Sequence, residues 1–374
     1  MKAVNKRTLF VIALIGFYFS GAGNATVRAQ TPAKAPSEAP KTAEQQFKNI
    51  QVLKDIPAEQ LIPTMQFIAA SLGADCEFCH VEHEMQKDDK KEKVTARKMI
   101  EMELAINKAH FKNEIEVTCY TCHRGSAHPV GTPILSAEGP KPVAPMHEMT
   151  AEADSKLPTA DQILDKYLAA VGGAESLQKI KSRVQKGTLD AGGMQFPIEV
   201  YSEAPDKRIS ISHPQGGSSV TAFNGEVGWL SIRNGFHMMT APEREAARID
   251  AEMYFPARVR ELYKLFHVRP GDDINGHSTY MVTATAPNLP PLRLYFDQGS
   301  GLLLRQLRFM ETPLGRNPTQ IDYADYRDTD GVKIPFSWTL ARPNGSFTIK
   351  VEQTQQNVPI DEKLFTPPSE TPAK

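Results

Sequence analysis

The sequence predicts two domains of different class: a small, mainly α-helical domain followed by an antiparallel β domain of α+β type. Three observations carry this. The pattern Cys-x-x-Cys-His occurs at residues 76–80 and again at 119–123, each time after a stretch of helical periodicity. From about residue 196 the apolar period switches to two, with turn signals between the runs. A proline-rich stretch separates the two regions.

At 374 residues the chain has room for about two domains with sizeable cores. A formal net charge of -1 gives no electrostatic case for nucleic acid or for an anionic membrane surface. Residues 1–29 read as a secretory signal peptide. Lys2, Lys6 and Arg7 open it, residues 9–19 form an apolar run of 11, and Val27-Arg28-Ala29 offers a cleavage site. That run is short of the ~20 apolar residues a bilayer span needs. The expected address is the periplasm, with no membrane span once the signal is removed. Residues 30–44, rich in Pro, Ala, Lys and Thr, read as a flexible tether.

A helix is predicted over residues 57–72, with Leu61, Met65, Ile68 and Leu72 on one face and Gly73 as its stop. The first motif follows. Mixed charges over residues 82–93 read as a solvated connection. A second helix is predicted over residues 95–107, with Thr95 as N-cap and Met99, Met102 and Ile106 sharing a face. The second motif follows that. Residues 45–131 therefore hold an internal duplication.

The motif's spacing has a chemical reason. Two thiols separated by two residues can reach the two vinyl groups on one edge of a porphyrin. The next residue then carries an imidazole under the iron. All four cysteines of the chain fall in the two motifs. A zinc ribbon also has two Cys-x-x-Cys pairs, but its central gap is about 15–20 residues. Here 39 residues separate Cys79 from Cys119. Disulfides would not call for the two histidines. The motifs predict two covalently attached c-type haems, held by Cys76, Cys79, Cys119 and Cys122, with His80 and His123 on the irons. Each unit is too small to bury much alone, so folding and haem attachment are expected to be coupled.

The segments Pro63-Thr64-Met65 to Leu72-Gly73-Ala74-Asp75-Cys76, and Ala96-Arg97-Lys98-Met99 to Cys119-Tyr120-Thr121-Cys122-His123-Arg124-Gly125, resemble haem units of the photosynthetic reaction-centre cytochrome c subunit family. In that family a methionine on the helix before the motif is the sixth ligand of most haems. The resemblance implies Met65 for the iron held by His80 and Met99 for the iron held by His123. Met102 and His110 compete with Met99, and ordinary core packing competes with both assignments. The photosynthetic proteins carry four haems, whereas this chain has two motifs. The resemblance therefore implies a di-haem electron carrier and does not imply photosynthesis.

Residues 132–158 form a proline-rich linker, a semi-rigid spacer expected to hold the domains apart. The second domain spans residues 159–368, with a tail at 369–374. Thr159 is a predicted N-cap, followed by the stripe Ile163, Leu164, Tyr167 and Leu168 and the stop Gly172-Gly173. A short helix follows over residues 174–180. Phe196, Ile198 and Val200 alternate; Asn224-Gly225 reads as a hairpin turn; Val332, Ile334, Phe336, Trp338 and Leu340 alternate without a break. Asn344-Gly345 turns into Phe347, Ile349 and Val351. The expectation is a meander of nine to eleven strands, interrupted by a helical stretch over 243–266 that breaks at Pro256. Through Tyr295-Phe296-Asp297 to Gly301-Leu302-Leu303 and Gly331-Val332-Lys333-Ile334-Pro335 it is similar to periplasmic lipoprotein-carrier half-barrels. That resemblance implies a concave face able to hold an acyl chain, or one filled by the inserted helices as plain core.

The reading is a periplasmic di-haem c-type cytochrome that passes single electrons between redox donor and acceptor proteins. Its half-barrel-like domain would dock a partner or bind a hydrophobic small molecule. Met/His coordination fills both axial positions, which favours electron transfer over catalysis. Two other readings stay open: a di-haem peroxidase-like enzyme, and a hydrophobic-ligand carrier with a redox domain.

Overall fold

A computed structural model describes residues 41–129, 157–232, 235–287, 289–343 and 345–368. The signal peptide, most of the tether and of the linker, the C-terminal tail and the turn residue Asn344 lie outside the described residues.

The first region is helical: α1 (Ala43–Gln46), α2 (Ala58–Leu72), α3 (Cys76–Cys79), α4 (Lys91–His110) and α5 (Cys119–His123). α2 buries Leu61, Thr64, Phe67, Ile68 and Ser71, a stripe at three- and four-residue spacing. The Thr64 and Ser71 hydroxyls donate to the carbonyls of Gln60 (2.6 Å) and Phe67 (2.7 Å), which satisfies them on a buried face. Gly73 ends the helix in the left-handed region at φ 63°.

α4 is longer than residues 95–107, and Thr95 lies inside it. The early start has a local cause. The buried Lys93 ammonium donates to the carbonyls of Met85 (2.8 Å) and Lys87 (2.7 Å) and meets Asp88 at 3.0 Å. The charged stretch thus closes on itself, and its end joins the helix. The buried face of α4 is Lys93, Ile100, Glu103 and Asn107, not the Met99/Met102 face.

The second region begins with α6 (Ala160–Ala170) and α7 (Gly173–Lys179). Thr159 and Gln162 cap α6 reciprocally: the Thr159 amide donates to Gln162 Oε1 (2.8 Å) and the Gln162 amide to Thr159 Oγ1 (3.2 Å). Then come β1 (Ser182–Ala191), β2 (Met194–Glu203), β3 (Lys207–Ser212), β4 (Ser219–Asn224), β5 (Gly228–Ile232) and β6 (Gly235–Met238). The helices α8 (Ala241–Ala251) and α9 (Phe255–Leu262) follow. The chain closes with β7 (Leu265–Pro270), β8 (Thr279–Ala286), β9 (Leu289–Asp297), β10 (Leu303–Thr312), β11 (Gly315–Thr329), β12 (Val332–Arg342) and β13 (Gly345–Gln356).

The 13 strands of the described residues form one antiparallel sheet in the order β6-β5-β4-β3-β2-β1-β13-β12-β11-β10-β9-β8-β7. Two meanders meet where the first strand pairs with the last. The count exceeds nine to eleven because β6 has only four residues and because β7 takes Leu265 and Phe266, which periodicity assigned to the helical stretch. α8 and α9 join the two edge strands in sequence. Pro256 sits in the first turn of α9, where its missing N–H is harmless. α6, α9 and the sheet share one apolar core that includes Leu164, Val259, Tyr263, Val282, Leu294 and Val332.

The linker does not hold the two regions apart. Leu314, at the tip of the β10–β11 hairpin, is fully buried among Leu53, Phe67, Ile68 and Ile100 of the first region. Gly315 (φ 146°) lies so close that a Cβ there would overlap the Phe67 ring. Leu314→Ala is expected to destabilise the joint core by about 3 kcal/mol. In urea unfolding, midpoints read separately at the front-region absorbance and at Trp229 and Trp338 emission should both fall; unchanged midpoints would mean that the contact is not part of the core.

Candidate functional site

Each Cys-x-x-Cys-His folds as a single helical turn, which puts its two cysteines at i and i+3 on one side. Asp75 caps the first turn by accepting from the Phe78 amide (2.9 Å). In the second, the Thr118 amide donates to Thr121 Oγ1 (3.0 Å). The turn of α5 ends at Arg124 in the left-handed region, φ 50°. All four thiols are unpaired. Among the described residues no group of three or more His, Cys, Asp or Glu side chains converges as a metal site would require.

The two histidines are held alike. His80 Nδ1 lies 2.9 Å from the Met85 carbonyl, and His123 Nδ1 lies 2.9 Å from the Ser126 carbonyl. A carbonyl can only accept, so each Nδ1 carries a proton, which in the neutral form leaves Nε2 as the atom with the lone pair. This is the tautomer and tether that a metal-binding imidazole needs. The Met85 carbonyl accepts from Lys93 Nζ as well, so α4 steadies His80 through one oxygen atom.

The two units interlock. α2 packs on α5, and α4 packs on α3. The Gly125 amide, just past the second motif, donates to the Ser71 carbonyl near the end of α2 (2.9 Å). Gly73 faces the Gly125 backbone with no room for a Cβ. Asn107 pins the approach to the second motif: its Nδ2 donates to the Val117 carbonyl (2.6 Å), and its Oδ1 accepts from the amides of Val117 (3.0 Å) and Glu116 (3.2 Å).

Met65 is half-buried on α2, beside the cluster that also receives Cys119. Met99 and Met102 are 38% and 46% exposed, and His110 is exposed at the end of α4. Burial pushes the Cys79 thiol up, helped by Glu92 and opposed by Lys90. Burial also pushes the Cys119 thiol well up, together with the hydrogen bond it donates to Glu103 (2.9 Å). Glu103 itself is raised, by its own burial first.

The residues around the motifs fit a large apolar group. Among the described residues thirteen large apolar side chains are left exposed, and ten of them lie in the first region: Ile62, Phe78, Met85, Val94, Met99, Met102, Leu104, Phe111, Ile115 and Tyr120. A small helical unit that leaves this much apolar surface in water has a face that a porphyrin would cover.

Residues 20–181 match the sequence model of the family described as photosynthetic reaction centre cytochrome C subunit. The front of this chain is similar to those cytochrome subunits. The one from Thermochromatium tepidum is 41% identical over 100 residues, 25% of this chain and 24% of its own length. The one from Rubrivivax gelatinosus is 34% identical over 93 residues, 23% of this chain and 25% of its own. The chain thus spans about a quarter of the length of these relatives. The sheet region has its own likeness, at the level of fold. A DUF1329 family protein from Desulfovibrio piger aligns with TM-score 0.39 at 11% identity, covering 55% of this chain and 96% of that one. A LolA superfamily protein from Nitrosomonas europaea aligns with TM-score 0.37 at 14% identity, covering 56% and 98%. A helical front region followed by a large, open antiparallel sheet is the fold class expected from the sequence. Among the described residues no helix is long and apolar enough to cross a membrane.

Sequence reading missed Asp88. Its carboxylate takes both Arg97 Nη1 and Nη2 (2.9 Å each), Asn49 Nδ2 (3.0 Å) and Gln51 Nε2 (3.2 Å). It ties the loop after the first motif to α4 and to the segment before α2. A single Asp in a mixed-charge run gives no periodic signal. Hydrogen bonds from Arg97, then Asn49 and Lys93, hold this carboxyl well below the usual range. A depressed carboxyl contributes stability above its unfolded value of about 3.9, and that contribution fades as pH falls through the folded value. Asp88→Asn is therefore expected to lower the urea midpoint at pH 7 and to differ less from the parent at pH 3. An equal deficit at both pH values would remove the carboxylate's charge from the account.

Proposed function

We propose that this protein is an exported di-haem c-type cytochrome that relays single electrons, with a β domain that holds a hydrophobic molecule. The observation that carries the relay is the pair of similar helical turns, each with two free cysteines, one exposed and one half-buried, and an imidazole held through Nδ1. Cys76 and Cys79 would hold one haem, Cys119 and Cys122 the other, with His80 and His123 as iron ligands. A bound haem supplies a one-electron couple. Met65 and Met99 would close the far sides, Met65 from α2 and Met99 from α4. With a histidine and a methionine of the chain holding each haem, oxygen and peroxide would find no open site, which favours relay over peroxidase chemistry. The interlocked helices fix both turns in one rigid unit and limit the rearrangement that accompanies a change of charge. Donor and acceptor would be other redox proteins.

The β-domain part of the proposal rests on a cavity. α8 and α9 cross the sheet without filling it: Ala246 and Ala247 present small side chains, and a space of about 1070 Å³ remains. That is the size of a small-molecule site. Ile198, Ile334 and Ile349 help to line it.

Two haems per chain should be found by pyridine haemochrome assay. The oxidised protein should show the weak band near ~695 nm of Met/His iron. Met65→Ala and Met99→Ala should each remove part of that band and admit cyanide. A high-spin parent spectrum, or rapid parent turnover of peroxide, would favour the peroxidase reading. Lys93→Met tests the tether on His80. Without the ammonium, the Met85 carbonyl accepts more strongly from Nδ1, the imidazole becomes more electron-rich, and a nearby positive charge is lost. Both effects stabilise the oxidised iron, so one of the two potentials should fall in spectroelectrochemical titration while the other stays. Two unmoved potentials would rule out this positioning role for Lys93.

A further inference from the structure

The cavity's charge is lopsided. Arg183 on β1, Arg208 on β3, Arg308 on β10 and Arg342 on β12 all line it. Most of its acids are already engaged. Asp250 pairs with Arg308. Glu252 meets Arg258 at 2.6 Å and Glu311 meets Arg316 at 2.9 Å. Glu243 accepts from the Thr240 amide (2.9 Å) and faces His237 at 3.1 Å. Glu59, exposed on α2, and Lys333 complete the charged lining. Among the described residues no carboxylate forms an ion pair with Arg183, Arg208 or Arg342; Asp250, already held by Arg308, reaches Arg208 and Arg342 only through its field, as Glu243 reaches Arg342.

Register sharpens the picture. Arg183 lies directly across from Ser202 on β2, and Ser202 directly across from Arg208 on β3. Directly paired residues share a face, so two guanidinium groups stand roughly 10 Å apart at the backbone with one buried hydroxyl side chain between them. Arg183 Nε is buried and has no hydrogen-bond partner. Burial, with Arg208 adding to it, brings Arg183 down to about 10, so it keeps its charge at neutral pH. Arg208 lies over the Trp338 ring at 5.7 Å, an apolar wall on its other side. Both arginines are half-buried, and a half-buried cation that forms no ion pair is costly enough that an apolar side chain in its place often stabilises a fold.

We infer that the cavity binds an amphipathic anion, an apolar chain whose carboxylate or phosphate head is held by Arg183 and Arg208 across Ser202. This rests on the reading of the β domain as a ligand holder and adds the class of ligand. It does not depend on the haems, whose spectrum serves as a check of integrity throughout.

The test uses the full-length, haem-loaded protein, stripped of co-purified amphiphiles on a hydrophobic resin. Tetradecanoate, tetradecyl phosphate and the neutral tetradecanol are titrated below their micellar concentrations, by calorimetry and by Trp338 emission. At least one anion is expected to bind roughly tenfold or more tighter than the alcohol, as a charged hydrogen bond would give; the better anion tells carboxylate from phosphate. In Arg183→Met/Arg208→Met the preference should vanish, and the thermal midpoint of the ligand-free protein should rise. If that variant does not fold, Arg183→Gln alone should cut the preference at least threefold. Equal binding of alcohol and anions to the parent would overturn the anion inference and leave the ligand-holding reading standing. Binding of none of the three would overturn both.

Discussion

The hydrogen bond from the Gly125 amide to the Ser71 carbonyl (2.9 Å) is the constraint on which the front of the molecule turns. It closes a contact in which two glycine backbones, at Gly73 and Gly125, meet with no space for a side chain. The end of the first unit's helix is thereby fixed against the turn of the second unit's motif. The first motif in turn leans on α4. Neither Cys-x-x-Cys-His turn is supported by its own helix alone. A duplication that reads as two beads on a string is physically one interlocked object, and a change in either unit is felt in the other.

The same object extends into the sheet. Leu314 completes the apolar cluster between α2 and α4, so the β10–β11 hairpin is part of the front region's core. Small helical units bury too little surface to be stable alone. Here the shortfall is met from outside, by a hairpin on one side and, in the proposed state, by porphyrins where Phe78, Met99 and Tyr120 stand exposed. The hairpin meets the front region at Phe67, against which Gly315 packs, two residues from Met65 on the same helix.

How much of this could be read in advance follows from which signals are periodic. The α6 cap at Thr159, the alternation of β12 and the turn after Asn224 depend on local spacing and chemistry, and they fold as the spacing implies. The features that spacing did not reveal depend on contacts distant in sequence. Lys93 is helical and buried because three acceptors near the first motif converge on it. Leu314 is buried because a surface more than 200 residues earlier receives it. The edge strands β6 and β7 are short, and mostly exposed, so they lack the apolar alternation that would mark them. The apolar stripe of α4 points the other way for a related reason. Met99 and Met102 form the face best suited to an apolar group that the polypeptide does not itself contain, while Ile100, Glu103 and Asn107 face the protein.

Charge placement separates the two halves in a way that composition hides. A net charge of -1 averages over a front region in which Lys93 and Arg97 meet a carboxylate and a cavity in which Arg183 and Arg208 form no ion pair among the described residues. Lys93 and Arg97 both end on Asp88 and form a closed network that needs nothing further. Arg183 and Arg208 end on no carboxylate of the described residues, yet stand on β1 and β3 on either side of Ser202. A core optimised for stability alone would have neutralised or removed them. Keeping two such charges beside a space of about 1070 Å³ is therefore the pattern of a site that is completed by what enters it.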